Sequence, residues 1–321
     1  MKYSHTPVML KEVLEYLKLR RGQKIIDCTL GGGGYTFAIA KEVGEEGIVI
    51  AIDLDKMAIK NAKKIIEKEK INNVILINDN FVNLKNIISE YYAKDIKFDG
   101  VVFDLGLSGA QLADRDRGFS FQFDSPLKME FRKNKRSSGK VEHVLNYWKE
   151  KDIANIIKKY GEEKFASRIA KKLVEHRVRK PIKTTQQLVE IIRSAVPHFY
   201  QNKKIHFATR TFQALRIFAN NELENLEKAL PQAVDLLKKR GRLIVISYHS
   251  LEDRIVKNFF RQESRDCICP PEAPLCKCGH KACLKIIKSK DGKKFIVPSE
   301  EEVQANKRAR SAKMRVAEKY K

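Results

Sequence analysis

Two acids and four glycines stand at a spacing that can hold a nucleoside. The run Lys24-Ile25-Ile26-Asp27-Cys28-Thr29-Leu30 enters Gly31-Gly32-Gly33-Gly34-Tyr35, and a second apolar run, Val49-Ile50-Ala51-Ile52, ends at Asp53. Glycines admit positive φ and let the backbone approach a ligand that a Cβ would exclude. An acid about 20 residues further on, at the tip of a second strand, can accept from both ribose hydroxyls. A dinucleotide asks for G-x-G-x-x-G, which brings a helix N-terminus to the pyrophosphate. Asp27 beside the glycines would repel a pyrophosphate and suits a cation. The stretch therefore favours S-adenosylmethionine, a sulfonium and an ammonium without phosphate, over NAD.

Other residues carry chemistry further along the chain. Phe81 follows the third apolar run and can cover an adenine, and Asp104 ends the fourth run, Phe98 to Phe103. Between Asp116 and Asp124, Phe119, Phe121 and Phe123 alternate with polar residues next to Arg117. That pattern suits a loop that stacks a base and grips a phosphate, or a strand-like segment that buries its rings on one face. Arg210 and Arg216 lie on a later helical stretch, and Lys313 in a basic tail, Ala305 to Lys321, that reads as an RNA-facing extension. His249 follows a strand as a base candidate, though a satisfied structural histidine is the commoner outcome. Cys267, Cys269, Cys276 and Cys278, near His280 and Cys283, are dense enough to consider zinc. Structural zinc sites usually begin C-x2-4-C, so the C-x-C pairs point to free thiols and no metal.

The elements that must position these groups follow from periodicity. Apolar runs ending in acids alternate with helical stretches, the signature of a parallel α/β sheet that binds ligands at its carboxyl edge. Lys11 to Leu19 reads as a helix before the first strand, and Lys56 to Lys70 as one after the second. From Val141 to Phe199 the period is helical throughout, with Lys171, Lys172, Arg177 and Arg179 on a basic face. A long helix is expected from Phe207 to Lys239, before Gly241 to Ser247 returns the chain to the sheet. The expected division is 1–107 for the first part of the sheet domain, 108–208 for an inserted helical substrate-recognition domain, and 209–321 for the second part.

Composition narrows the partner. A net charge of +24 is far more than solubility requires and points to a polyanion, most often nucleic acid, although a uniformly lysine-rich surface is the bland alternative. No apolar run of about 18 residues exists to span a membrane, and Met1 to His5 lacks the apolar core of a secretory signal. Five of the six cysteines fall late in the chain, which argues against a disulfide scaffold and for a reducing compartment. A cytoplasmic protein is expected.

Several stretches together resemble a known family. His5-Thr6-Pro7-Val8-Met9-Leu10, Asp27 to Gly34, Asp116 to Phe121, Ala208 to Arg216 with Asn220-Asn221-Glu222-Leu223, His249 to Lys257 and Arg310-Ser311-Ala312-Lys313 run in order over nearly the whole chain. They are similar to the MraW-type small-subunit ribosomal RNA methyltransferases, which methylate N4 of a P-site cytosine in 16S rRNA. The resemblance implies a Rossmann-like S-adenosylmethionine-dependent methyltransferase sheet with an inserted helical domain, and 16S rRNA in the small ribosomal subunit, rather than DNA or membrane, as partner. It places the cofactor residues on Gly33, Gly34, Tyr35, Asp53, Phe81, Asp104 and Gln111. It leaves the catalytic residue open, with Asp104 the candidate. The chain departs from the pattern at Tyr35, where the family usually has His, and at Gly109-Ala110, which replaces Ser-Pro. Pro126-Leu127-Lys128-Met129-Glu130-Phe131-Arg132 stands where the family reads Pro-Leu-Asp-Met-Arg-Met-Asp.

Overall fold

A computed structural model describes residues 7–92, 95–132, 139–270, 272–273 and 275–320; His5 and Thr6 of the opening motif lie outside them. In chain order come α1 (Leu10–Leu17), β1 (Lys24–Asp27), α2 (Gly34–Val43), β2 (Ile48–Ile52), α3 (Lys56–Glu69), β3 (Val74–Ile77), α4 (Leu84–Tyr91) and β4 (Phe98–Asp104). A helical stretch follows: α5 (Gly109–Ala113), α6 (Lys140–Tyr147), α7 (Glu150–Gly161), α8 (Ala166–Arg179), α9 (Thr185–Ala195), α10 (His198–Gln201) and α11 (Thr209–Asn220). Then α12 (Glu222–Leu236), β5 (Leu237–Ser247), α13 (Ser250–Glu263), β6 (Leu284–Ile287), α14 (Glu300–Ala305) and β7 (Lys313–Lys319) complete the chain.

The strands form one sheet in the order β3-β2-β1-β4-β5-β7-β6. Strands β1 to β5 run parallel, and β7 is antiparallel to both of its neighbours. Strands covered on both faces must be apolar throughout, and Val49 to Ile52 and Leu243 to Ile246 are all buried. Their alternate side chains go to opposite faces: Ile26, Ile50, Phe103 and Val245 join one core, while Ile25, Val49, Val102 and Ile244 join another. The strand order reverses between β1 and β4, the place where open α/β sheets bind ligands at their carboxyl ends.

The chain divides into two compact units, one running up to Gly106 and again from Leu223, the other Leu107–Glu222. The expected insert, 108–208, stops too early. Helix α11 packs on α7 and places Phe212, Leu215 and Ala219 in the core of the second unit, so that unit closes only after it. The single long helix expected from Phe207 to Lys239 is also two helices. Asn221 takes a left-handed φ of 52° and ends α11, its N–H bonded back to Ile217 and Phe218 carbonyls.

The basic tail is a further correction. Lys307, Arg308 and Arg310 are exposed, but Lys313 to Lys319 is a sheet strand with Met314 to Ala317 buried. Arg315 is only 6% exposed and holds Asp253 through two bonds of 2.7 and 3.1 Å. Apolar residues between the charges, Met314, Val316 and Ala317, are what draw this segment inward. No helix among the described residues is long and apolar enough to cross a membrane.

Candidate functional site

At the carboxyl edge the glycine loop is organised by an acid beneath it. Asp27 is fully buried at the end of β1, accepting from Thr36 Oγ1 at 2.6 Å and from the Thr29 N–H at 3.0 Å. Those bonds tie the strand to the start of α2 across the turn. Burial raises the Asp27 carboxyl above its ordinary range. Gly33 has φ +83°, and a Cβ there would lie 2.3 Å from the Phe37 ring, so a side chain would strain the backbone and displace that ring. Gly34 opens α2 against Pro7.

Asp53 stands just beyond β2 and is bound to the same loop. Its carboxylate accepts from the Gly31 N–H at 2.8 Å and the Asp55 N–H at 2.7 Å, one on each oxygen. Each oxygen keeps a further lone pair with which to accept from a ribose hydroxyl. Burial pushes this carboxyl up to about 6.

Asp104 ends β4 next to β1. Its N–H donates to Thr29 Oγ1 at 2.7 Å, and its carboxylate accepts from Tyr248 Oη–H at 2.7 Å. Burial pushes the Asp104 carboxyl up to about 7, the Tyr248 hydroxyl pulls it back, and the charge of Asp27 adds to the rise. Burial and the neighbouring Asp104 in turn hold the Tyr248 hydroxyl well above its usual range. Tyr248 and Thr29 were not singled out from the sequence. The available signal for Tyr248 was its place: β5 pairs with β4 in parallel, so the residue after Ser247 comes level with the end of β4.

The remaining cofactor candidates are placed less uniformly. Phe81 begins a short 3-10 turn after β3 and meets Phe103 edge-on at 5.4 Å. Tyr35 is 3% exposed, and its hydroxyl donates to the Val8 carbonyl, so its ring belongs to the core. Gln111 lies in the second unit, where its side-chain oxygen accepts from the Ser108 N–H at 3.0 Å and completes the cap of α5. His249 caps α13, its Nδ1 accepting from the Glu252 N–H at 3.3 Å, and its Nε2 lies 3.1 Å from Glu252 Oε1.

The RNA candidates separate into packed and exposed residues. Arg117 is 3% exposed, donating to the Glu130 carbonyl at 3.1 Å and to the Phe131 carbonyl. It clamps its own loop, which corrects the expectation of a phosphate-gripping arginine. Phe119 is buried and stacks on Phe131 at 5.5 Å; Phe121 stacks on His206 at 4.6 Å. Both rings serve the second unit's core. Phe123 is exposed, with the Arg115 guanidinium 4.2 Å above its ring. Arg216 forms a two-pronged bond to Glu222, 2.9 Å on each branch, and Arg210 donates to the Glu162 carbonyl at 2.8 Å while staying open to solvent. Lys313 is half-exposed over Phe295. On α8, Lys171, Lys172 and Arg179 face solvent as the periodicity requires.

Comparison with known proteins settles the class. The model of the MraW methylase family matches residues 2–320. The chain belongs to that family. It is 46% identical over 315 residues to a protein of Halothermothrix orenii named ribosomal RNA small subunit methyltransferase H, covering 98% of each chain. Its counterpart in Brevibacillus brevis is 43% identical over 319 residues, with 99% of each covered. A Clostridium botulinum protein of the same name is 45% identical, covering 99% of this chain and 100% of its own.

S-adenosylmethionine is the cofactor of this MraW methylase, and the edge fits it. Asp27 and Asp104 end β1 and β4, Asp53 follows β2, and each Asp53 oxygen keeps a lone pair that can accept from a hydroxyl. The fold is therefore the expected Rossmann-like methyltransferase sheet, with helices inserted after β4.

Proposed function

We propose that this chain methylates small-subunit ribosomal RNA, and within it N4 of a cytosine in the P-site region of 16S rRNA. The supporting observation is the match, at 43–46% identity and over nearly the whole chain, to relatives named as ribosomal RNA small subunit methyltransferases. Net charge supports an RNA substrate as well, since a +24 chain gains counterion release from every phosphate it meets.

When bound, S-adenosylmethionine supplies an electrophilic methyl on sulfur. The N4 lone pair is delocalised into the cytosine ring, so the task of the protein is positioning and hydrogen bonding rather than covalent attack. In this reading Asp53 holds the ribose and Asp104 accepts a hydrogen bond from the amine as the nitrogen pyramidalises. Tyr248 fixes which Asp104 oxygen is turned away from the amine. The base must be unpaired or extruded to reach that edge.

Arg115 with Phe123 replaces Arg117 with Phe119 as the base- and phosphate-binding pair in this reading, because it is the pair that solvent reaches. Arg210 and Lys313 remain phosphate candidates. The altered stretch Lys128 to Arg132 motivates a second reading, an RNA- and cofactor-binding module of this family with altered or lost methyl transfer. Leu127 and Met129 are buried and Phe131 packs on Phe119, whereas Lys128 and Arg132 are exposed.

The test is mass spectrometry of cytidine nucleosides from 16S rRNA, with and without the protein acting on small subunits. Appearance of N4-methylcytidine at one P-site position is expected. Methylation at another base, or on carbon, overturns the N4 assignment; no methylation of small-subunit RNA overturns the whole proposal.

A further inference from the structure

Four sulfurs that methyl transfer does not use converge between α13 and β6. Cys267 and Cys269 follow the end of α13, Cys276 and Cys278 precede β6, and all four Sγ atoms lie within 4.8 Å of one another. Sγ of Cys278 is 3.6 Å from that of Cys276 and 3.9 Å from that of Cys267. A tetrahedral ion with metal–sulfur bonds of about 2.3 Å needs sulfurs about 3.8 Å apart along each edge. The two separations bracket that value. The C-x-C spacing, which in sequence argued against one ion, is reconciled by the backbone curling around the sulfurs. The Ile268 N–H points to Cys278 Sγ at 3.5 Å and the Cys269 N–H to Cys267 Sγ at 3.4 Å. Amide donors of this kind support the charge on metal-bound thiolates.

Neighbouring ligand types are otherwise engaged. The Cys283 thiol donates to the Glu263 carboxylate at 3.4 Å and His280 Nε2 lies 3.2 Å from the Gln262 carbonyl, so both pin the base of the loop. A pair of disulfides would draw the sulfurs together two by two to about 2.05 Å. Cys267, Cys269, Cys276 and Cys278 are instead all free and gathered about one point.

We propose that Cys267, Cys269, Cys276 and Cys278 bind one Zn²⁺ in a closed, four-thiolate site that staples the α13–β6 connection. Binding exchanges four S–H protons for four Zn–S bonds and leaves the ion no open position, so the role is structural. The ion holds in place a loop that exposes Ile268 and Leu275 and buries little of its own.

The test uses the full chain purified under reducing, chelator-free conditions. Metal analysis should find about one zinc per chain, released by a mercurial thiol reagent, and cobalt replacement should give the sulfur-to-metal charge-transfer bands of a four-thiolate site. The double variant Cys276→Ser/Cys278→Ser should lose the metal at least tenfold, while Cys283→Ser should keep it. Wild-type protein that stays below a tenth of an equivalent after equilibration with Zn²⁺ overturns the proposal. So does zinc retained equally by the double variant, or cobalt spectra showing nitrogen or oxygen ligands.

Discussion

Asp53 and Asp104 are partly buried ionisable groups at the carboxyl edge of the sheet, and in the proposed reading each makes a different prediction. Asp53→Ala removes the acceptor of the ribose and of the Gly31 N–H together. Calorimetry should show S-adenosylmethionine affinity falling by about 1–3 kcal/mol in a variant that remains folded. Because burial raises the Asp53 carboxyl to about 6, it is protonated below that pH and loses acceptor strength. The share of cofactor affinity that rests on Asp53 should therefore fall as pH drops through about 6, by up to about tenfold per unit, after any loss that Asp104 causes near 7. Asp104 is raised to about 7, so the native state holds its proton more tightly than the unfolded chain does. Its contribution to stability is fully present below the ordinary carboxylate range and is lost as pH rises through about 7. Asp104→Asn keeps an acceptor for Tyr248 and removes the charge, so at pH 8 it should raise the melting temperature, gaining on the order of 1–3 kcal/mol, while slowing transfer. A variant that melts lower and transfers normally would show that Asp104 does neither job.

The loop from Asp116 to Phe131 is the element where spacing alone was most ambiguous. Its three phenylalanines divide by environment: Phe119 and Phe121 pack in the second unit and Phe123 lies open under Arg115. Arg117→Ala should accordingly lower stability by about 1–3 kcal/mol, since two carbonyls lose a charged donor. Arg115→Ala should leave the melting temperature alone and reduce the salt slope of RNA binding by roughly one unit. The reverse pattern in a paired melting and salt titration would restore Arg117 as the phosphate contact. Element β7 teaches the same lesson from the other side. Its lysines and arginines read as a tail, but Met314, Val316 and Ala317 between them are buried, and Arg315 is neutralised by Asp253. Met314→Asp should therefore unfold the sheet domain rather than weaken RNA binding, which circular dichroism separates from a binding assay.

At the scale of the molecule, a +24 chain carries its substrate preference as a field as much as a set of contacts. Association with small-subunit RNA should be fast at low salt and slow steeply as salt rises, whereas cofactor affinity should hardly change, because the Asp53 and Asp104 contacts are partly buried. Stopped-flow association at several salt concentrations, beside calorimetry for the cofactor, tests both halves. Equal salt dependence of the two would place the cofactor site in the same exposed field as the RNA surface.

The parallel sheet, the glycine turn and the acids at the strand ends were legible in the chain itself. Apolar runs of four to seven residues are best satisfied by burial on both faces, and the positive φ of Gly33 favours glycine. Family membership was legible as well, because matching stretches run in order along nearly the whole chain. Tertiary structure alone decided which polar residues meet. Tyr248 reaches Asp104 across 144 positions of sequence, and Arg117 finds its carbonyls only once the loop has folded back on itself. The four cysteines likewise became one cluster only when the connection between α13 and β6 closed. Local periodicity reports which face of an element is apolar; it carries no record of which distant backbone or side chain will arrive to complete a charge, and that pairing decides what each polar residue does.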